Sequence, residues 1–113
     1  MKIKLSLIFL LLSNLAFSQL NISHYIRVGQ TRIQIGNYVG AIENFNIVIK
    51  FKPQLPEPYY FRGVAKHQLE DFRGAIQDYN KAISIKPYYP DAFMHRGLAF
   101  LELNDYDAAI ADY

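Results

Sequence analysis

The sequence predicts an all-α fold, a solenoid of antiparallel helix–turn–helix units, and three observations predict it. First, residue types recur with a period of 34. Gly29, Gly63 and Gly97 share one column; Ala41, Ala75 and Ala109 share another, as do Ile42, Ile76 and Ile110. Aromatics hold two more, Tyr38/Phe72/Tyr106 and Phe45/Tyr79/Tyr113, and Pro53 and Pro87 a sixth. Second, helix punctuation falls at the same two places in each period: a turn pair and a proline. Third, the chain is 51% hydrophobic and 15% aromatic, far from a disordered composition. One short hairpin cannot bury such an apolar face alone, so units must stack.

Residues 1–18 stand outside the period. Lys2 and Lys4 precede an apolar run from Leu5 to Leu12, and Ala16-Phe17-Ser18 follows. That layout is expected of a secretory signal peptide cleaved after Ser18. The apolar run is shorter than the ~20 residues of a membrane-spanning helix. Cleavage implies a secreted or periplasmic protein; retention of the segment as an anchor would place the protein near a membrane. The whole chain has 12 Lys+Arg against 10 Asp+Glu. Losing Lys2 and Lys4, and no acid, leaves ten of each. A nucleic-acid surface is not expected from a balanced chain. With no cysteine, disulfides and thiol chemistry are excluded.

The units are read as residues 22–55, 56–89 and 90–113. In each, a first helix covers about the first 14 positions. The turns are Gly36-Asn37, Glu70-Asp71 and Asn104-Asp105, whose second members suit the N-cap of the next helix. The second helix runs to the proline, which ends it. Pro56 and Pro90 suit the first turn of the following helix, where a missing N–H costs little. Gly63 and Ala75 are small so that the two helices of a hairpin can approach, with Phe72 and Tyr79 beside them. Unit three ends at Tyr113, position 24 of its 34. The sequence therefore reads as a fragment of a longer repeat protein or a truncated product.

These columns resemble the tetratricopeptide repeat family. Unit two carries the pattern as Tyr59, Gly63, Phe72, Ala75, Tyr79, Ala82 and Pro87; unit one as Tyr25, Gly29, Tyr38, Ala41, Phe45, Val48 and Pro53; unit three as Phe93, Gly97, Tyr106, Ala109 and Tyr113. The resemblance implies a right-handed superhelix and a binding scaffold rather than an enzyme. Position 7, commonly leucine in the family, is Val28, Arg62 and Arg96 here; position 11, commonly aromatic, is Arg32, Lys66 and Phe100. The Arg62 stem is expected to pack while its guanidinium reaches solvent. Gly74, in a column with Gly40 and Ala108, is expected to be replaceable by alanine without loss.

No catalytic or metal-binding constellation emerges. His24, His67 and His95 form no His-x-x-x-His or Glu-x-x-His pairing. Acidic residues sit at turns, where capping explains them. The expectation is no enzyme activity, no cofactor, no metal and no small-molecule substrate, but a protein or peptide partner. The resemblance implies that a concave face formed by positions 2, 5, 9, 12 and 13 of the first helices holds it. The candidate groove residues are Ile26, Gln30, Tyr60, Val64, His67, Met94, Leu98 and Leu101, a mainly apolar strip. The Lys/Asn/Arg clamp with which one subfamily holds a terminal carboxylate is absent: positions 5, 6 and 9 are Ile26/Arg27/Gln30, Tyr60/Phe61/Val64 and Met94/His95/Leu98. Coverage of the strip by another part of a longer chain, an RNA-binding helical repeat, and a regulatory part of a larger envelope protein or enzyme are the competing readings.

Overall fold

A computed structural model describes the backbone of residues 2–113 and the side chains of residues 7–11 and 21–113. Among these residues it holds six helices and no strand: α1 Lys2–Gln34, α2 Tyr38–Phe51, α3 Pro56–Gln68, α4 Phe72–Ile85, α5 Pro90–Glu102 and α6 Tyr106–Asp112. They pair as three antiparallel hairpins, α1/α2, α3/α4 and α5/α6, and each second helix also packs on the first helix of the next hairpin.

The turns follow from local chemistry. The residue closing each first helix lies in the left-handed region: Gly36 at φ 82°, Glu70 at 65° and Asn104 at 62°. Asn37, Asp71 and Asp105 then cap the second helices. Their side chains accept from the backbone N–H groups of Gly40 at 3.1 Å, Gly74 at 3.0 Å and Ala108 at 3.2 Å. Pro56 and Pro90 open α3 and α5, as their fixed φ favours.

The first helix departs from expectation. It runs unbroken from Lys2 rather than starting at Ile22. No glycine or proline precedes Gly29, so nothing interrupts the hydrogen-bond ladder. Ile22 stands where units two and three have proline, and it keeps its N–H. Leu7, Ile8, Phe9, Leu10 and Leu11 are each more than half exposed on this extension. Most side chains of segment 1–18, and the cleavage site expected after Ser18, lie outside the described residues. Among the described residues no helix is long and apolar enough to cross a membrane.

The hairpins close through one repeated contact, a glycine of the first helix against an aromatic ring of the second. A Cβ on Gly29 would sit 2.7 Å from the Phe45 ring, and one on Gly63 2.7 Å from the Tyr79 ring. At Gly97 the Tyr113 ring is 3.1 Å away. Phe45 and Tyr79 are fully buried. Rings also join neighbouring units: Phe45 stacks on Phe61 at 5.7 Å, and Tyr60 meets Tyr89 at 5.1 Å.

One expectation about the Arg-Gly pairs is corrected. The Arg62 guanidinium is not left to solvent but is paired within the protein. It donates to both oxygens of Asp78, at 2.9 and 2.6 Å, and to Asn46 at 2.9 Å. Arg96 repeats the arrangement on Asp112, at 2.8 and 2.6 Å, and on Asn80 at 2.8 Å. Each arginine thus ties its own hairpin and reaches the hairpin before it. Half-burial takes the guanidinium out of water, and the planar fork matches a carboxylate better than it matches scattered water. Gly74 is not an idle site either. A Cβ there would press on the Asp71 carboxylate, 2.8 Å from the Oδ1 that caps the helix. Ala108 keeps the equivalent cap at 3.2 Å, so that carboxylate can yield.

The two glycines therefore separate cleanly. Gly63→Ala drives a methyl into a buried ring and toward the Ala75 carbonyl, 3.2 Å away, and should cost about 1–3 kcal/mol. Gly74→Ala gains roughly 1 kcal/mol of helix propensity and weakens one cap by a similar amount, so it should change stability little. Thermal or urea melts of the two variants check the ranking; equal losses would contradict it.

Candidate peptide-binding groove

The first helices form one layer. α1 touches α3 and α3 touches α5, whereas α2 and α4 do not touch, nor do α4 and α6. An array in contact on one side and parted on the other curves toward the contacting side. The face of α1, α3 and α5 is therefore the inner one, and it carries all eight candidate residues.

The structure divides these residues into two zones. Between α1 and α3 lies a cavity of about 300 Å³ lined by Gln30, Ile33, Gln34, Tyr60, Phe61 and Val64. Ile26 is half-buried and packs with the cluster of Ala41, Phe45 and Ala65. On α5, the next helix in the layer, Met94, Leu98 and Leu101 stand 47%, 41% and 36% exposed, an open ridge. Met94 also faces a second cavity, of about 530 Å³, with Tyr88, Tyr89, Pro90, Phe93, Asp112 and Tyr113.

Tyr60 is more deeply embedded than the other groove residues. Only 8% exposed, it meets the rings of Phe61, Tyr79, Tyr89 and His95 at 5.1–6.0 Å. Its hydroxyl lies 3.2 Å from His95 Nδ1, which is also 2.8 Å from the Asp91 carbonyl. Burial, with the Asp91 charge adding to it, pushes the Tyr60 pKa up to about 12. Burial likewise raises Tyr79 and Tyr89. All three phenols stay neutral across the physiological range.

His67 sits between the zones. It is half-buried, edge-on to Phe72 at 5.2 Å, and its Nδ1 is buried without a hydrogen-bond partner. Burial holds its pKa below the usual histidine value; Glu102 pulls the other way, and His95 adds to the lowering.

Sequence reasoning placed Ile33 on the groove face but overlooked Phe61 as a cavity wall and Tyr89 and His95 as the support of Tyr60. It also overlooked the arginine clamps, for which a signal existed. Asp78 and Asp112 lie 16 residues after Arg62 and Arg96, while unit one has Val28 and Asn44 in those columns. Charge appears in both columns or in neither. In unit one Arg32 donates to Asn44 instead.

Comparison with known proteins places the fold. The TPR repeat family profile matches residues 63–104. No curated protein is significantly similar in sequence. Among solved structures, MamA is similar with a TM-score of 0.79 and 28% identity, over 82% of this chain and 54% of that one. The first TPR of Spaghetti (RPAP3), bound to the HSP90 peptide SRMEEVD, has a TM-score of 0.80 and 26% identity, over 82% of this chain and 74% of that one. The Arabidopsis OM64 TPR domain has a TM-score of 0.79 and 26% identity, over 80% and 75%. This chain thus spans about half the length of MamA and three quarters of the other two. The three support an all-α helical repeat solenoid.

The His67 environment sets a pH dependence. In the unfolded chain the imidazole titrates near its ordinary pKa of about 6.5; in the fold it takes up its proton only at lower pH. The unfolded state therefore gains protons first as pH falls, and stability drops from about pH 6.5 downward. Melting temperature should fall between pH 7.5 and 5.5, and His67→Gln should make that slope shallower. An unchanged slope in the variant would show that His67 is not depressed.

Proposed function

We propose that the chain is a protein-interaction module that is exported from the cytoplasm and holds an apolar segment of a partner protein on its inner face. The observation that carries this reading is the open ridge of Met94, Leu98 and Leu101 on α5, next in the layer to the helix whose Tyr60 and Val64 wall the cavity. Exposed apolar groups set in one row on a rigid helix gain free energy only when something covers them. The TPR repeat match at residues 63–104 and the peptide-bound state of the similar Spaghetti domain support the same use of the fold. Among the described residues no cluster of His, Asp or Glu is arranged to hold a metal.

The peptide recognised here differs from SRMEEVD. The inner face offers Ile26, Tyr60 and Met94 rather than a set of cations for a carboxylate-rich tail. Burial of apolar side chains then supplies most of the affinity, and the Met thioether adapts to varied shapes. Export rests on residues 1–18, with their two lysines, apolar run and small residues before Gln19.

Peptides selected from a displayed random library against the purified chain should bind it in the micromolar range. The double variant Met94→Glu/Leu98→Glu should bind them at least tenfold more weakly while melting near the parent temperature, since both sites are substantially exposed. Half-burial of two such side chains is worth roughly 2 kcal/mol. Retained affinity in the variant would remove the ridge from the reading.

Export is tested separately. A chain expressed with a secretion apparatus should appear outside the cytoplasm with Gln19 as its new N-terminus by mass spectrometry. An intact Met1 on cytoplasmic protein would refute this part.

A further inference from the structure

The inner face is one-sided in charge. Across α1, α3 and α5 its fifteen positions hold no Lys or Arg, while Glu57, Asp91 and Glu102 lie among them. The cations of these helices are turned away. Arg32 donates to Asn44 and the Gly40 carbonyl, Arg62 to Asp78 and Asn46, and Arg96 to Asp112 and Asn80. Lys66 lies 3.1 Å from Asp78. Of the five Lys and Arg residues on α1 from Ile22 onward, α3 and α5, all with described side chains, only Arg27 stands outside these pairs. The clamps thus withdraw positive charge to the second-helix side and leave the acids on the inner side.

The acids have a regular placement. Asp91, Met94, Leu98 and Leu101-Glu102 follow one face of α5 at spacings of three and four. An exposed carboxylate therefore brackets each end of the apolar ridge, about 16 Å apart along the axis. The Asp91 backbone carbonyl lies 2.8 Å from His95 Nδ1, which is 3.2 Å from the Tyr60 hydroxyl, and Glu102 follows Leu101 at the other end of the ridge, so the two acids border the groove. Glu57 is already met by Lys86 at 4.0 Å.

From this arrangement, and resting on the groove reading above, we infer that the occupant is a partner segment with a short apolar core and a Lys or Arg flanking each end. Its apolar side chains cover Met94, Leu98 and Leu101 and enter the cavity beside Tyr60 and Val64. Its cations meet Asp91 and Glu102. The charge is opposite to that of the acidic peptide held by the similar Spaghetti domain. Because both carboxylates are solvent-exposed, the ionic part acts as selection and steering more than as raw affinity, and salt weakens it.

Three fluorescent peptides with one Met/Leu core and flanks of Lys, Ser or Glu test the assignment against the full chain by anisotropy. The Lys-flanked peptide should bind at least tenfold tighter than the Glu-flanked one in 50 mM salt, with that ratio falling severalfold in 500 mM. Asp91→Asn/Glu102→Gln, checked for folding by its melt, should lose the preference and keep the affinity for the Ser-flanked peptide. Equal binding of all three, tighter binding of the Glu-flanked peptide, or a preference that survives in the double variant would overturn the charge assignment while the groove stands. Binding of none would overturn the groove reading with it.

Discussion

The close contact between a first-helix glycine and a second-helix ring is what the rest of the solenoid depends on. At Gly29 and Gly63 the ring stands closer than any Cβ would allow. That distance sets how near the two helices of a hairpin lie, and interiors packed this tightly transmit small displacements rather than absorb them. Because the contact recurs every 34 residues, each hairpin presents the same outline to the next. The stacking of Phe45 on Phe61 and of Tyr60 on Tyr89 is possible only because the outlines agree. The inner face inherits its regularity from the same source.

Around that contact the polar groups are organised to keep positive charge off the inner face. Arg62 and Arg96 are half-buried, and a lone guanidinium there would be costly. Asp78 and Asp112 compensate it, and Asn46 and Asn80 take the remaining donors. Unit one solves the same problem by carrying neither charge, with Val28 and Asn44 in the two columns. Apolar packing fixes the geometry; the clamps decide which side of each helix is positive.

Much of this was legible in the sequence, because strict periodicity converts a tertiary contact into a column of like residues. Gly63 and Ala75 announce themselves as small in every unit, and Asn37, Asp71 and Asp105 are caps by residue type alone. What was not legible depends on where side chains end. Arg62 reads as surface because a family leucine is missing, and only its distance from Asp78 reveals a partner. Gly74 reads as replaceable, and only the placed Asp71 carboxylate shows that alanine there would trade helix propensity against a cap. The groove strip reads as continuous, yet Tyr60 is buried within an aromatic cluster and Met94 is open. Continuation of α1 back to Lys2 was hidden by the register itself, which marks a start at Ile22 but supplies no breaker there.

The contact between first helices, and its absence between second helices, has a mechanical consequence. A stack joined along one side and parted along the other flexes about the joined side. Bending then opens or closes the gaps between α2, α4 and α6, while the spacing of α1, α3 and α5 changes little. The inner face lies on the neutral axis of its own scaffold. It works as a ruler whose marks keep their intervals while its back bends, so its apolar and acidic groups hold the same spacing at every curvature of the stack.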